Sequence, residues 1–266
     1  MTDIRHAAPS RLSGLTPTHF VAIVTLGALI LASMGQVAPS PQQLATGLPG
    51  MVDLVGRMLP PNTEPAFLWR VGVRILETFQ IALVGAAIGI VLSLPVAWLA
   101  ARGVSPLGRG HYVFKAFVSF LRTVPDLVWA LLFVATVGLG AVAGTMTIMV
   151  DTIGFCGRFF AEAMEDAEKD PQDALTAIGA RRSSILAGAI LPDIAPSLTN
   201  SSLFALEKAV RSSVVLGLVG AGGIGQELKV AFDLFQYRNA STIILVIFVI
   251  VLAMELITDK LRARIQ

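Results

Sequence analysis

The chain has 266 residues, of which 55% are hydrophobic and only 14% charged, with a formal net charge of +2. Soluble domains carry about 25% charged residues, so this composition, with a mean hydropathy of +0.74, excludes an ordinary soluble domain and defines a membrane protein. The small charge excess gives no basis for a nucleic-acid partner. The single cysteine, Cys156, excludes an intrachain disulfide, and the three histidines His6, His19 and His111 lie too far apart to suggest a metal cluster.

Residues 1–16 are polar, carry Arg5 and Arg11, and read as a cytoplasmic tail. Residues 20–34 are uncharged and, with their flanks, reach the ~20 residues that span a bilayer. No clean small-x-small site ends this segment, so we expect an uncleaved anchor rather than a signal peptide. Residues 36–66 are rich in Pro, Gly and Gln and read as an outer loop, with a short amphipathic helix over residues 51–59.

A second span is expected over residues 78–101, after Arg70, Arg74 and Glu77. Its Gly85, Gly89 and Pro95 suit close packing and a kink. A third, over residues 112–138, is interrupted at Arg122-Thr123-Val124-Pro125-Asp126, because proline removes a helix bond and biases its predecessor away from helix. A fourth is expected over residues 141–160. The acidic run Glu162, Glu165, Asp166, Glu168, Asp170 follows, either as a solvated face or as an electrostatic contact. Pro192 opens a fifth span reaching Leu218, and a sixth covers residues 242–257.

Between the fourth and fifth spans lies a short, partly polar stretch. Asp170 is placed to cap a helix, Pro171 suits its first position, and Asp173 adds negative charge at the positive end of the dipole. Gly179 falls in the middle of the pattern, where glycine costs about 1 kcal/mol relative to alanine, so a packing reason is expected there. We read residues 170–188 as a docking helix on the cytoplasmic side. With both termini inside, the cytoplasmic segments hold twelve basic residues (Arg5, Arg11, Arg102, Arg109, Lys115, Arg158, Lys169, Arg181, Arg182, Lys260, Arg262, Arg264) against five outside (Arg57, Arg70, Arg74, Lys229, Arg238). That bias supports the orientation.

Two constellations could carry chemistry. Gly220-Ala221-Gly222-Gly223-Ile224-Gly225 satisfies the dinucleotide pattern Gly-x-Gly-x-x-Gly, which would suggest a membrane-bound oxidoreductase. That motif works only between a strand and a helix, and here it follows a long apolar segment. The preferred reading is a place where the backbone leaves helical geometry beside a cavity. The second constellation is Arg122, Asp126, Asp151, Glu207, Lys208 and Arg211 at membrane depth. Each would cost about 2.5–3.5 kcal/mol facing lipid, so each is expected to face the bundle interior or water. Arg122 with Asp126, and Glu207 with Arg211, are four apart and can pair, or can serve a substrate path; Asp151 needs a cross-helix partner, Arg122 or Lys208. No phosphate loop of the Gly-x4-Gly-Lys-Ser/Thr type is present.

The run Asp173-Ala174-Leu175, three residues, Gly179, nine residues, Ala189, one residue, Leu191-Pro192 resembles the coupling loop of ABC importer permeases. Arg122-Thr123-Val124-Pro125-Asp126-Leu127, Asp151-Thr152-Ile153-Gly154, Phe160-Ala161-Glu162-Ala163 and the stretch from Val210 to Gly225 are similar to phosphonate importer permeases, over most of residues 76–260. That family has His where this chain has Asp151, and methionine importer permeases share a similar glycine-rich segment. The resemblance implies an all-α membrane protein of six transmembrane helices with a five-helix importer-type core and both termini cytoplasmic. Residues 1–66 would form the tail, first span and outer loop, and residues 67–266 the permease core. It implies coupling to an ATPase through Asp173, Ala174, Gly179, Leu191 and Pro192. Arg122, Asp126, Asp151, Glu207, Lys208, Arg211, Gly222 and Gly223 become candidates for the substrate path. A second copy of the chain, two ATP-binding subunits carrying ATP and Mg, an extracytoplasmic solute-binding protein and membrane lipid are the implied partners. The chain itself would bind no cofactor and hydrolyse nothing. Phosphonate, phosphate or phosphite would be moved by alternating access, with methionine or another small solute as the alternative.

Overall fold

The structure, a computed structural model, describes residues 16–38 and 40–264; the tail with Arg5 and Arg11 lies outside the described residues. All regular elements among the described residues are helical. The chain divides into two units, residues 1–56 and 57–266. The first holds α1 (Pro17–Val37) and most of α2 (Pro41–Met58), neither of which buries a residue. The expected outer helix over residues 51–59 is thus longer, and starts just after Ser40.

The second unit opens with α3 (Pro65–Ala100), 36 residues without a break. At 1.5 Å per residue it is roughly 54 Å long, well beyond the ~30 Å apolar thickness of a bilayer. The expected span from residue 78 therefore lies within a longer helix. Arg70, Arg74 and Glu77 do not precede the helix but lie on its overhanging first turns, with Arg74 bonded to Glu77 at 2.7 Å and to Glu227 at 3.2 Å. A turn over residues 101–110 leads to α4 (His111–Thr123) and α5 (Asp126–Val137). These two meet at 87°, because Pro125 and the extended Val124 break the helix between them. Then follow α6 (Ala141–Asp166), α7 (Lys169–Ala177) and α8 (Arg182–Ile185). A π-helical turn (Leu186–Ile190) joins α8 to α9 (Leu191–Gly217), and α10 (Ile224–Asp233) and α11 (Tyr237–Arg262) complete the unit.

Pro192 lies in the first turn of α9, as expected, although the helical run continues back through the π turn to Arg182. A proline there has no N–H and crowds the carbonyl four residues back. The preceding π turn, in which the Leu191 amide bonds Leu186 O, shifts the register where that carbonyl would clash.

The core is built on a stripe of small residues along α3. Ala82, Gly85, Ala86, Gly89, Ser93, Ala97 and Ala100 recur at helical spacing and are all buried. They lie against α6, where a Cβ added to Gly85 would meet Ile148 Cβ at 2.9 Å, and one added to Gly89 would meet Thr152 Cβ at 2.5 Å. Two backbones approach this closely only without side chains between them, a packing mode favoured in membranes. One end of the bundle is filled by Phe160, Met164, Ile190 and Ile194, the other by Phe67, Val71, Ile224 and Ile243.

By length and composition three helices can cross a membrane, α1, α3 and α11, and the bent pair α4–α5 makes a fourth. The helices α6 and α9, with 26 and 27 residues, have the length but carry charges and small residues.

Candidate functional site

The docking segment is shorter than expected. α7 has nine residues and begins at Lys169 with Glu168, not Asp170, at its N-cap. Gly179 is not within the helix: it has φ +79, past the C-terminus, with its amide bonded to Thr176 O at 2.9 Å and the Ala180 amide to Leu175 O at 3.0 Å. These two bonds close a Schellman motif, the helix stop that glycine favours. The packing reason expected for Gly179 is corrected accordingly. An added Cβ would touch nothing within 4 Å, and the backbone conformation alone calls for glycine.

Leu175 turns inward, with Cδ1 at 3.7 Å from where a Cβ on Gly188 would stand. Asp173, Ala174, Thr176, Ala177 and Gly179 are exposed, and Ile178 is 79% exposed. Leu191 is half-buried and Pro192 exposed. The α7 hairpin is tied down by the Glu168 amide, which donates to Asp193 Oδ2 at 2.9 Å. The acidic run is split in its behaviour. Glu165 accepts the Arg102 amide at 2.8 Å and pairs with Lys115 at 3.5 Å, and Glu162 pairs with Arg158 at 2.6 Å.

The candidate intramembrane charges fall into three groups. Lys208 Nζ, on α9, lies 2.8 Å from both Asp151 carboxylate oxygens on α6, and 5.5 Å from the centroid of the Phe155 ring. Of the two partners expected for Asp151, Lys208 is the one present. Glu207 accepts Arg211 at 3.0 Å, as the spacing of four suggests, and also Arg262 of α11 at 2.9 Å. The glutamate side chain is 11% exposed and the Arg211 side chain 58%. Sequence spacing gave no sign of Arg262, which lies 55 residues on and is brought alongside by the return of α11.

The pairing of Arg122 with Asp126 does not form, because the 87° break lies between them. Asp126 Oδ1 instead accepts the Leu127 amide at 2.9 Å. The Arg122 guanidinium lies 5.9 Å from the Phe159 ring centroid, and among the described residues it meets no carboxylate within ion-pair distance.

The glycine run leaves helical geometry, and its Ile224 borders, with Thr78 and Val214, a small apolar pocket. Gly222 and Gly223 are buried, with φ +85 and +74; a Cβ on Gly223 would meet Thr78 Oγ1 at 2.5 Å, and one on Gly222 would meet Ala141 N at 2.8 Å. Thr78 Oγ1 accepts the Ile224 amide at 2.7 Å and so caps α10, and the Gly140 amide bonds Gly220 O at 2.9 Å. The turn is a knot joining α3, α6, α9 and α10, flanked by helices on both sides. The strand that a dinucleotide motif requires is absent among the described residues.

A long helix overhanging the bilayer, small-residue helix contacts and an exposed short helix between two long ones together define an all-helical importer permease. The MetNI methionine ABC transporter, solved in inward-facing conformations, superposes with a TM-score of 0.65 at 25% identity over 77% of this chain and 100% of that one. A putative phosphite transport system permease protein of Stutzerimonas stutzeri is 35% identical over 244 residues, 92% of this chain and 86% of its own. A phosphate-import permease protein of Mycolicibacterium smegmatis is 37% identical over 230 residues, 85% of this chain and 42% of its own. Residues 67–266 match the binding-protein-dependent transport system inner membrane component family, and the chain belongs to it. It is a multi-pass inner-membrane permease subunit of an ABC importer. Its work is transport.

Proposed function

We propose that this permease imports a small phosphorus oxyanion, phosphite, phosphonate or phosphate. The observation that carries the reading is the likeness to phosphite and phosphate permeases at 35–37% identity over 85–92% of the chain, against 25% for the methionine transporter. The chain would act as a homodimer, with two ATP-hydrolysing subunits holding ATP and Mg on the cytoplasmic side and a solute-binding protein outside. Six passages are counted as α1, α3, the α4–α5 pair, α6, α9 and α11. The bias of basic residues sets both termini and α7 in the cytoplasm. ATP-driven closure of the partner subunits would move α7, through Asp173, Ala174 and the Gly179 turn, and pass through Leu191 and Pro192 into α9.

An oxyanion leaving water needs donors that replace its hydration, and guanidinium groups offer a planar fork for its oxygens. Arg122 is the foremost candidate, because no carboxylate among the described residues neutralises it. Arg211, engaged by Glu207 yet largely exposed, is the second. Lys208 and Asp151 neutralise each other and serve the bundle first.

The test is competed uptake of labelled phosphite in cells carrying the complete importer. Phosphite, phosphate or methylphosphonate should compete and methionine should not. Arg122→Gln should reach the membrane normally yet lose uptake. Competition by methionine alone refutes the substrate class.

A further inference from the structure

One directed contact ties the segment after α7 to a remote part of the chain. Arg182, the first residue of α8, donates from Nη1 to the main-chain carbonyl of Ser105 at 2.6 Å. Ser105 is a fixed point. It is 3% exposed, its hydroxyl donates to Leu99 O at 2.9 Å, and its amide bonds Ala101 O at 3.0 Å. Arg182 therefore grips the turn that closes the C-terminal end of α3. A guanidinium there also meets the negative end of that helix dipole. Next to this contact, Ile185 and Leu186 pack on the cluster containing Ala97, Ala100 and Ala101.

The opposite end of α3 is pinned as firmly. Thr78 caps α10 through the Ile224 amide at 2.7 Å, and Arg74 bridges Glu77 and Glu227, the last on α10. Between the two ends the helix continues through Pro95, and Gly85 and Gly89 admit no slack against α6. A helix held in this way transmits displacement along its length rather than absorbing it.

We propose that Arg182 is a positioning residue for transport. It makes α3 follow the docking segment, so that movement of α7 reaches α10 at the far end of the molecule. The route through Leu191 and Pro192 acts on α9, and the Arg182 strut adds α3. This rests on α7 being the helix that meets the ATPase, and it fails separately from that reading.

The experiment uses the complete importer in proteoliposomes and reads labelled phosphite taken up per ATP hydrolysed. Arg182→Gln removes the charge and shortens the reach. It should still co-purify with the ATPase subunits and hydrolyse ATP, while uptake per ATP falls about tenfold, within the usual range of coupling between sites. Arg182→Lys, which keeps a cationic donor, should recover part of the ratio. A merely structural role would lower assembly and hydrolysis together and leave the ratio unchanged. An unchanged ratio in Arg182→Gln, with or without loss of assembly, overturns the strut. Ala174→Glu, on the exposed face of α7, serves as the separate arm. It should weaken co-purification of the ATPase, and intact assembly there removes the docking reading instead.

Discussion

At Gly179 the backbone, rather than the space around it, decides what a substitution does. With φ +79 and no neighbour within 4 Å of an added Cβ, Gly179→Ala should cost about 1–2 kcal/mol of local helix-end stability. Gly179→Asn should be milder, since asparagine visits this conformation more readily. Co-purification of the ATPase and solute-stimulated hydrolysis should follow the order Gly, Asn, Ala. Equal values for Asn and Ala would contradict the turn's role. The Lys208–Asp151 pair gives a second test. Lys208→Met leaves a half-buried carboxylate without its partner and should reduce membrane yield, while adding Asp151→Asn should restore it. No recovery in the double variant would mean that Lys208 does more than neutralise Asp151. How much of the site the sequence discloses depends on range. Glu207 with Arg211 was legible because four residues make one helical turn. Arg262 was not, since only the packing of α11 on α9 brings it there. The same spacing misled at Arg122 and Asp126, where Pro125 cancels the helix that the spacing assumes.

Within α3, two glycines separate packing from propensity. Gly89 lies against Thr152 with no room for a methyl group, so Gly89→Ala should cost about 1–3 kcal/mol by overpacking and lower the thermal midpoint of the purified subunit. Gly72, on the same helix with nothing within 4 Å, should tolerate Ala or gain slightly. Equal midpoint shifts for the two would refute the close α3–α6 contact. The apolar runs were readable element by element, because hydropathy reports local length and composition. The ends were not. Arg70, Arg74 and Glu77 look like a boundary in sequence, yet the helix continues through them, and Arg74 pairs with Glu227, 150 residues beyond Glu77. The glycine run hides its contacts for a similar reason. Its partners Thr78 and Ala141 are far away in sequence, and tight packing demands glycine as strictly as an open turn does.

For the molecule as a whole, the proposed six-passage arrangement predicts opposite accessibility for α2 and α7. In a Cys156→Ala background, single cysteines from Ala45→Cys and Ala177→Cys should label from opposite faces of the membrane with an impermeant reagent, Ala177→Cys from the cytoplasmic face. Labelling from one face would overturn the arrangement. The central claim is that this family member carries phosphorus oxyanions, and reconstitution tests it most directly. The permease, its ATPase subunits and the solute-binding protein are placed in proteoliposomes with ATP on the ATPase side, and accumulation of labelled phosphite, phosphate, methylphosphonate and methionine is measured separately. The account predicts ATP-dependent accumulation of at least one phosphorus oxyanion, lost with Arg122→Gln, and none of methionine. ATP-dependent accumulation of methionine with no phosphorus oxyanion transported would contradict it.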